Sequence, residues 1–162
     1  MKTILLITTG GTLDKVYFDA LSEYQVGNAV APEILQRMNV NFCYEHKEIC
    51  RKDSLEITDQ DRALIKQAID GCEHDHVLVT HGTDTMVQTA QFLGEQPEKT
   101  IVFTGAMQPA AFANTDAIFN IGTAIGALNS APKGVYVAMS GQVFLASKVY
   151  KNYETKRFED NE

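Results

Sequence analysis

The chain has 162 residues, 44% of them hydrophobic, and a formal net charge of −7. That is the length of one ordinary domain with enough apolar mass for a core, and the acidic balance excludes the basic stripe that a nucleic-acid surface needs. Three cysteines without paired spacing (Cys43, Cys50 and Cys72) argue for reduced thiols in a cytoplasmic protein, and no Cys or His spacing suggests a metal site.

The first strand is expected over Thr3–Thr8. Its apolar run is shorter than the about 7–15 residues of a signal-peptide core and leads straight into a glycine turn. No segment approaches the roughly 20 apolar residues of a membrane span. From Gly10 to Gly27 the pattern is irregular or a hairpin, with Val16, Tyr17, Phe18 and Tyr24 but no helical periodicity. Pro32–Met38 reads as a short helix with proline in its first turn, and Val40–Cys50 alternates like a strand. Thr58–Ala68 is a helix: Thr58 can cap it, Asp59 and Asp61 suit its first turn, and Leu64, Ile65, Ala68 and Ile69 form its apolar stripe. His76–Thr80 is a strand, and Asp84–Leu93 a helix directly after it. Ile101–Thr104 is a strand, Asp116–Asn129 an Ala/Ile-rich helix and Val135–Met139 a further strand. Gln142–Tyr153 reads as an extended or hairpin arm.

Alternating strands and helices make a parallel sheet with right-handed crossovers. The expectation is therefore an α/β fold, a doubly wound three-layer sandwich of Rossmann-like or flavodoxin-like type. Its sheet is mostly parallel and residues 1–162 form a single domain. Four apolar runs end in a hydroxyl residue beside glycine: ILLITTGGT, HVLVTHGT, IVFTG and GVYVAMSG. Ligands of open α/β sheets bind outside the carboxyl ends of the strands. Thr8, Thr9, Thr12, Thr80, Thr83, Thr104 and Ser140 are thus expected around one small-molecule crevice.

Two of these ends carry further signals. In Thr9-Gly10-Gly11-Thr12 the glycines free the backbone and Thr12 presents a hydroxyl, which is either a nucleophile awaiting a base or a turn residue capping its own backbone. In His81-Gly82-Thr83-Asp84-Thr85 a strand closes and a helix opens. Its amides suit a developing oxyanion, but Thr83 and Asp84 also read as ordinary N-cap residues.

Together the two motifs resemble the bacterial asparaginase family, threonine amidohydrolases with a TGGT turn after the first strand and HGTDT after a later one. The resemblance extends in order through Tyr24-Gln25-Val26-Gly27, Asp53-Ser54, Glu56-Ile57-Thr58, Gly105-Ala106-Met107-Gln108-Pro109, Asp116, Phe119-Asn120 and Lys151. One departure is Gln108, where the family has arginine.

The resemblance implies roles for these residues. Thr12 attacks the side-chain amide of asparagine or glutamine to give an acyl-enzyme, and Tyr24 closes over it. Thr83 orients water or is itself a second nucleophile. Lys151 eases deprotonation of Thr83. Asp84 holds the substrate α-ammonium and Ser54 the α-carboxylate. Gly11, Asp53, Gly82 and the Ala106 carbonyl complete the binding set. No metal and no cofactor is implied, and the partner is a small amino acid.

Family members are usually longer, with a second α/β domain that completes a neighbouring subunit's site. Here the sequence stops at Glu162. The expectation is weak substrate affinity, and self-association through an apolar patch as a homodimer or higher oligomer.

A binding or regulatory domain for aspartate or asparagine is the alternative from another class, although it has no need of Thr12 and Lys151. A flavodoxin-like phosphate loop would open directly into a helix, whereas Leu13–Phe18 follows here. No GxGxxG follows strand one, and no GxSxG elbow is present.

Overall fold

The computed structural model describes residues 3–161. Six strands form the main sheet: β1 (Thr3–Gly10), β4 (Cys43–Lys52), β5 (His76–Thr80), β6 (Thr100–Thr104), β7 (Gly134–Met139) and β8 (Gln142–Leu145). Their order is β4-β1-β5-β6-β7-β8. The first five are parallel, and β8 runs antiparallel along β7. The parallel part has the flavodoxin-like order, and its direction of winding reverses between β1 and β5, where such folds place their ligands.

Strand residues alternate between two cores. Leu5, Ile7, Val77, Val79, Ile101, Phe103 and Val137 pack beneath α2 (Asp59–Asp70) and α3 (Met86–Phe92). Ile4, Leu6, Leu78, Val102 and Ala138 pack beneath α1 (Ala31–Arg37) and α4 (Ala117–Ser130). The α/β sandwich expected from the sequence is the fold of this chain. Among the described residues no helix is long and apolar enough to cross a membrane.

Several boundaries differ from the sequence reading for identifiable reasons. Gly10–Gly27 resolves as a hairpin, β2 (Lys15–Phe18) against β3 (Glu23–Val26), in a two-stranded sheet of its own. β4 begins at Cys43 rather than Val40, because the chain leaves α1 through Asn39 at φ 51°, a conformation that asparagine tolerates. In α2, Thr58 forms a reciprocal capping box with Asp61. Leu64 faces solvent instead of joining the stripe, and Arg62 completes the buried face with its guanidinium bonded to Asp59 and Thr89. α3 starts at Met86, not Asp84, because Thr83–Thr85 are tied elsewhere, as described below. The Gln142–Tyr153 arm divides: β8 joins the main sheet, while β9 (Val149–Asn152) pairs with β10 (Arg157–Asp160).

The expected ring of free hydroxyls is not what the strand ends present. Thr8, Thr9, Thr80 and Thr104 are all fully buried. The Thr9 hydroxyl donates to the Thr80 carbonyl at 2.9 Å, Thr104 donates to Ala138 at 2.8 Å, and Thr8 pairs with His46 at 2.9 Å. The hydroxyls of Thr8, Thr9 and Thr104 thus satisfy groups inside the sandwich, whereas the Thr80 hydroxyl is buried with no hydrogen-bond partner among the described residues. Only Thr12, Thr83 and Ser140 lie outside it.

Candidate active site

Three loops meet at the carboxyl ends of β4, β1 and β5, and glycine lets them touch. Gly11 has φ 85°, and its N–H donates to the Lys52 carbonyl at 2.9 Å. A Cβ on Gly11 would lie 2.5 Å from the Gly82 Cα and amide nitrogen, and one on Gly82 would lie 2.6 Å from the Ser54 Cβ. The turns carrying Thr12 and Thr83 are therefore stacked backbone on backbone, and the second rests directly on Ser54.

Side-chain bonds lock the stack. Ser54 is buried; its Oγ accepts the Asp84 N–H at 3.2 Å and its carbonyl accepts the Thr85 hydroxyl at 2.6 Å. These two bonds hold Thr83–Thr85 out of α3. Thr85 stands at the N-cap and its side chain makes no capping bond to the helix, so the capping reading of Thr83 and Asp84 is overturned.

The Asp53 carboxylate is turned to its own turn and to the hairpin: it accepts the Leu55 N–H at 3.1 Å and pairs with Lys15 at 3.1 Å. The Leu55 amide first, and Lys15 with it, hold its pKa below the ordinary value against partial burial.

Lys151 reaches the same place from β9. Val149 and Phe158 are buried in the core under α3 and anchor the β9–β10 hairpin. Side chains two apart in a strand share a face, so Lys151 follows Val149 inward and only 8% of its side chain is exposed. Its ammonium donates to the Thr83 hydroxyl at 2.8 Å and to Asp84 Oδ1 at 2.6 Å. Tyr153, again two residues on, lies with its ring 5.2 Å from the Lys151 nitrogen and donates its hydroxyl to the Asp84 carbonyl at 3.0 Å. The sequence analysis does not single out Tyr153; the available signal is its position two residues after Lys151, just past the end of β9.

Thr12 opens a one-turn 3-10 helix after Gly11; it is half-buried, and its hydroxyl has no hydrogen-bond partner among the described residues. Tyr24 is half-exposed on β3, edge-on to Tyr17 at 5.4 Å and to Phe112 at 5.5 Å.

The turn containing Ala106 is held from below. Met107 and Gln108 donate their N–H groups to the Asp116 carboxylate. The Asn120 amide bridges the Gly105 carbonyl and Asp116, while its oxygen accepts the Ser140 N–H. Asp116 and Asn120 are thus scaffolding for that turn.

His81 is fully buried, and its Nδ1 lies 2.7 Å from the Gly82 carbonyl. A carbonyl only accepts, so Nδ1 carries the proton. Desolvation pushes the pKa down to about 4 and keeps the ring neutral. His81 braces the Gly82–Thr83 peptide from inside, a contribution not evident in the sequence.

What the cluster can do follows from its charges. An ammonium fixed against a hydroxyl and a carboxylate stabilises an alkoxide forming on that hydroxyl. Beside it, the Ser54 hydroxyl accepts from Asp84 and keeps its own proton to donate, and Asp84 keeps Oδ2 to accept. A donor and a carboxylate side by side suit a zwitterion. Because Gly82 has ordinary backbone angles but no room for a Cβ, Gly82→Ala is expected to destabilise the fold by about 1–3 kcal/mol through overpacking. Denaturant midpoints measure this; an unchanged midpoint would show that the loops are not in register-setting contact.

A model of the family described as asparaginase, N-terminal, matches residues 3–159. The L-asparaginase of Thermococcus kodakarensis is 31% identical over 160 residues, covering 91% of this chain and 47% of that protein. A glutaminase-asparaginase of Pseudomonas aeruginosa is 31% identical over 178 residues, covering 98% of this chain and 48% of that one. The solved structure of the thermostable Thermococcus kodakarensis L-asparaginase superposes with a TM-score of 0.85 at 28% identity, over 98% of this chain and 51% of that chain. The chain spans about half the length of the curated relatives it matches. With its glycine-stacked loops and the Lys151–Thr83–Asp84 cluster on one such domain, this chain belongs to the asparaginase family, as a counterpart of the family's N-terminal domain.

Proposed function

We propose that the chain hydrolyses the side-chain amide of L-asparagine, or of L-glutamine, to the acid and ammonia through a threonine acyl-enzyme. The observation that carries this reading is the ammonium of Lys151, 2.8 Å from the Thr83 hydroxyl and paired with Asp84, in a site with a spare Ser54 donor. A binding module needs the zwitterion cradle but not a charge held on a hydroxyl. The relatives are named L-asparaginase and glutaminase-asparaginase.

In the proposed reaction Asp84 takes the α-ammonium, Ser54 takes the α-carboxylate, and the Gly11 and Gly82 backbones let the substrate lie close. The Thr12 oxygen attacks the amide carbon and its proton passes to the departing nitrogen, which the Ala106 carbonyl receives. The C–N bond breaks and ammonia leaves. Water, oriented by Thr83 beside Lys151, then attacks the ester, releasing the acid and restoring the Thr12 hydroxyl. Tyr24 covers the site from the hairpin, and Asp53 holds the hairpin through Lys15.

The test is ammonia release from L-asparagine and L-glutamine by the wild type, Thr12→Ala and Lys151→Met. Release is expected from the wild type, loss of detectable turnover in Thr12→Ala, and a fall of about 10²–10⁴-fold in Lys151→Met. Full turnover in Thr12→Ala would remove it as nucleophile. No ammonia from either amide, together with calorimetric binding of aspartate, would establish a binding domain instead.

The exposed side of α4 and β8 is proposed as the contact between two copies. α4 carries no charged residue in a chain of net charge −7. Phe119 lies beside Gly141 at the start of β8, and Val143 and Leu145 are exposed on the α4 side of that edge strand. Copies with this excess of negative charge meet with least repulsion across an uncharged face. Light scattering is expected to give a dimer, and Phe119→Asp a monomer; a wild type monomeric at every concentration would overturn the contact. The unpaired state of Cys43, Cys50 and Cys72 fits a reducing, cytoplasmic compartment.

A further inference from the structure

The β2–β3 hairpin stands apart from both cores. Among the described residues it pairs with no strand of the main sheet, and Val16, Tyr17, Phe18, Leu21 and Tyr24 are all exposed. A two-stranded hairpin with so little burial is marginal alone, so its placement depends on what ties down its base. One residue ties both ends. Asp14 precedes β2 and is 1% exposed. Its carbonyl accepts the Gly27 N–H at 2.8 Å, and its carboxyl oxygen accepts the Val30 N–H at 2.9 Å. Gly27 is close-packed there: a Cβ on it would lie 3.0 Å from Val16 and 3.3 Å from the Asp14 carbonyl.

We propose that Asp14 is the latch of this hairpin: neutral, it stays buried and keeps the base closed, and ionised, it is drawn to water, so the hairpin opens more often as pH rises.

The charges around the carboxyl set where this happens. Burial pushes the Asp14 pKa up to about 7; the Val30 N–H draws it down by less, Glu48 of β4 raises it and Arg51 of β4 lowers it. Arg51 is already held by Glu48 at 2.8 Å and Asn28 at 2.7 Å, and Lys15, next in the chain, by Asp53. Among the described residues, no cation is therefore committed to the buried carboxylate.

The direction follows from linkage. The closed form holds its proton up to about pH 7, whereas a hydrated aspartate loses it near pH 4. Below about pH 4 both forms are protonated and opening is insensitive to pH. Between about 4 and 7 the open form sheds its proton first, so opening becomes progressively easier. Above about 7 both forms are ionised and the effect levels off. The whole span has a ceiling of about a thousandfold in the opening equilibrium.

Asp14 shares its one-turn helix with Thr12, and the hairpin carries Tyr24. The latch therefore makes Asp14 a positioning residue for the cover and the nucleophile. That consequence for turnover rests on the amidohydrolase reading; the latch itself does not.

Amide hydrogen exchange needs no substrate and separates the two. Protection factors of the Gly27 and Val30 amides, corrected for intrinsic exchange, are expected to fall at least about tenfold between pH 5 and pH 8, while that of Leu78 in the core stays level. Asp14→Asn keeps an acceptor oxygen and the shape but cannot ionise, and its Gly27 and Val30 protection is expected to stay within about twofold across the range. A level wild-type profile, the same slope in Asp14→Asn, or a parallel fall at Leu78 would overturn the latch. Failure of ammonia release with the expected exchange profile would refute the hydrolase and leave the latch standing.

Discussion

The site depends on a steric permission. A Cβ on Gly11 would collide with the Gly82 backbone, and a Cβ on Gly82 with Ser54. Without that contact the loops after β1, β4 and β5 would be held about a side chain further apart. Strand order alone puts the three loop ends next to each other; it does not bring hydroxyl, carboxylate and ammonium within one hydrogen bond of each other. The glycines convert adjacency into contact, and the Ser54 bonds to Asp84 and Thr85 then fix the register. Chemistry that works over 2.6–2.8 Å tolerates no slack in that stack.

The polar groups around it fall into two populations. Thr9, Thr104, Asp116 and Asn120 spend their hydrogen bonds on backbone, with one bond between the last two, and hold the turns still. Thr12, Ser54 and Asp84 keep at least one donor or acceptor in reserve. Rigid support beneath uncommitted groups is the arrangement that preorganised sites require, because a group already satisfied by its own chain has nothing to offer a substrate.

Much of this was legible in the sequence. Five parallel strands, the two sheet-facing patterns and the four helices follow from apolar periodicity and turn signals, since burial on both faces leaves a strand little choice of residue. Where the sequence misled, a nonlocal bond had overridden a local preference. Asp84 looks like a helix cap until Ser54, thirty residues earlier, takes its amide. Thr80 and Thr104 look like ligand-facing hydroxyls, but alternation turns them inward. Leu64 matches a helical stripe, yet the paired Arg62 occupies the buried position beside it. Lys151 alone is an ordinary lysine; the family pattern, not its surroundings in the sequence, singled it out. The raised pKa of Asp14 is invisible in sequence, because it arises from burial at the base of a segment whose pattern left a hairpin as only one of two readings.

The route by which Lys151 arrives has a consequence in time. Thr83 and Asp84 belong to the middle of the chain, but their ammonium comes on β9, and β9 is held in place by Phe158 of β10. During synthesis from the N-terminus the sheet from β4 to β7 can collapse before that hairpin has left the ribosome. The nascent domain would then already carry Thr12, Thr83, Asp84 and the glycine-stacked loops, without the Lys151 ammonium beside them. Docking of that hairpin is the step that brings the ammonium to Thr83 and Asp84, so the cluster forms only after residues 149–160 have emerged.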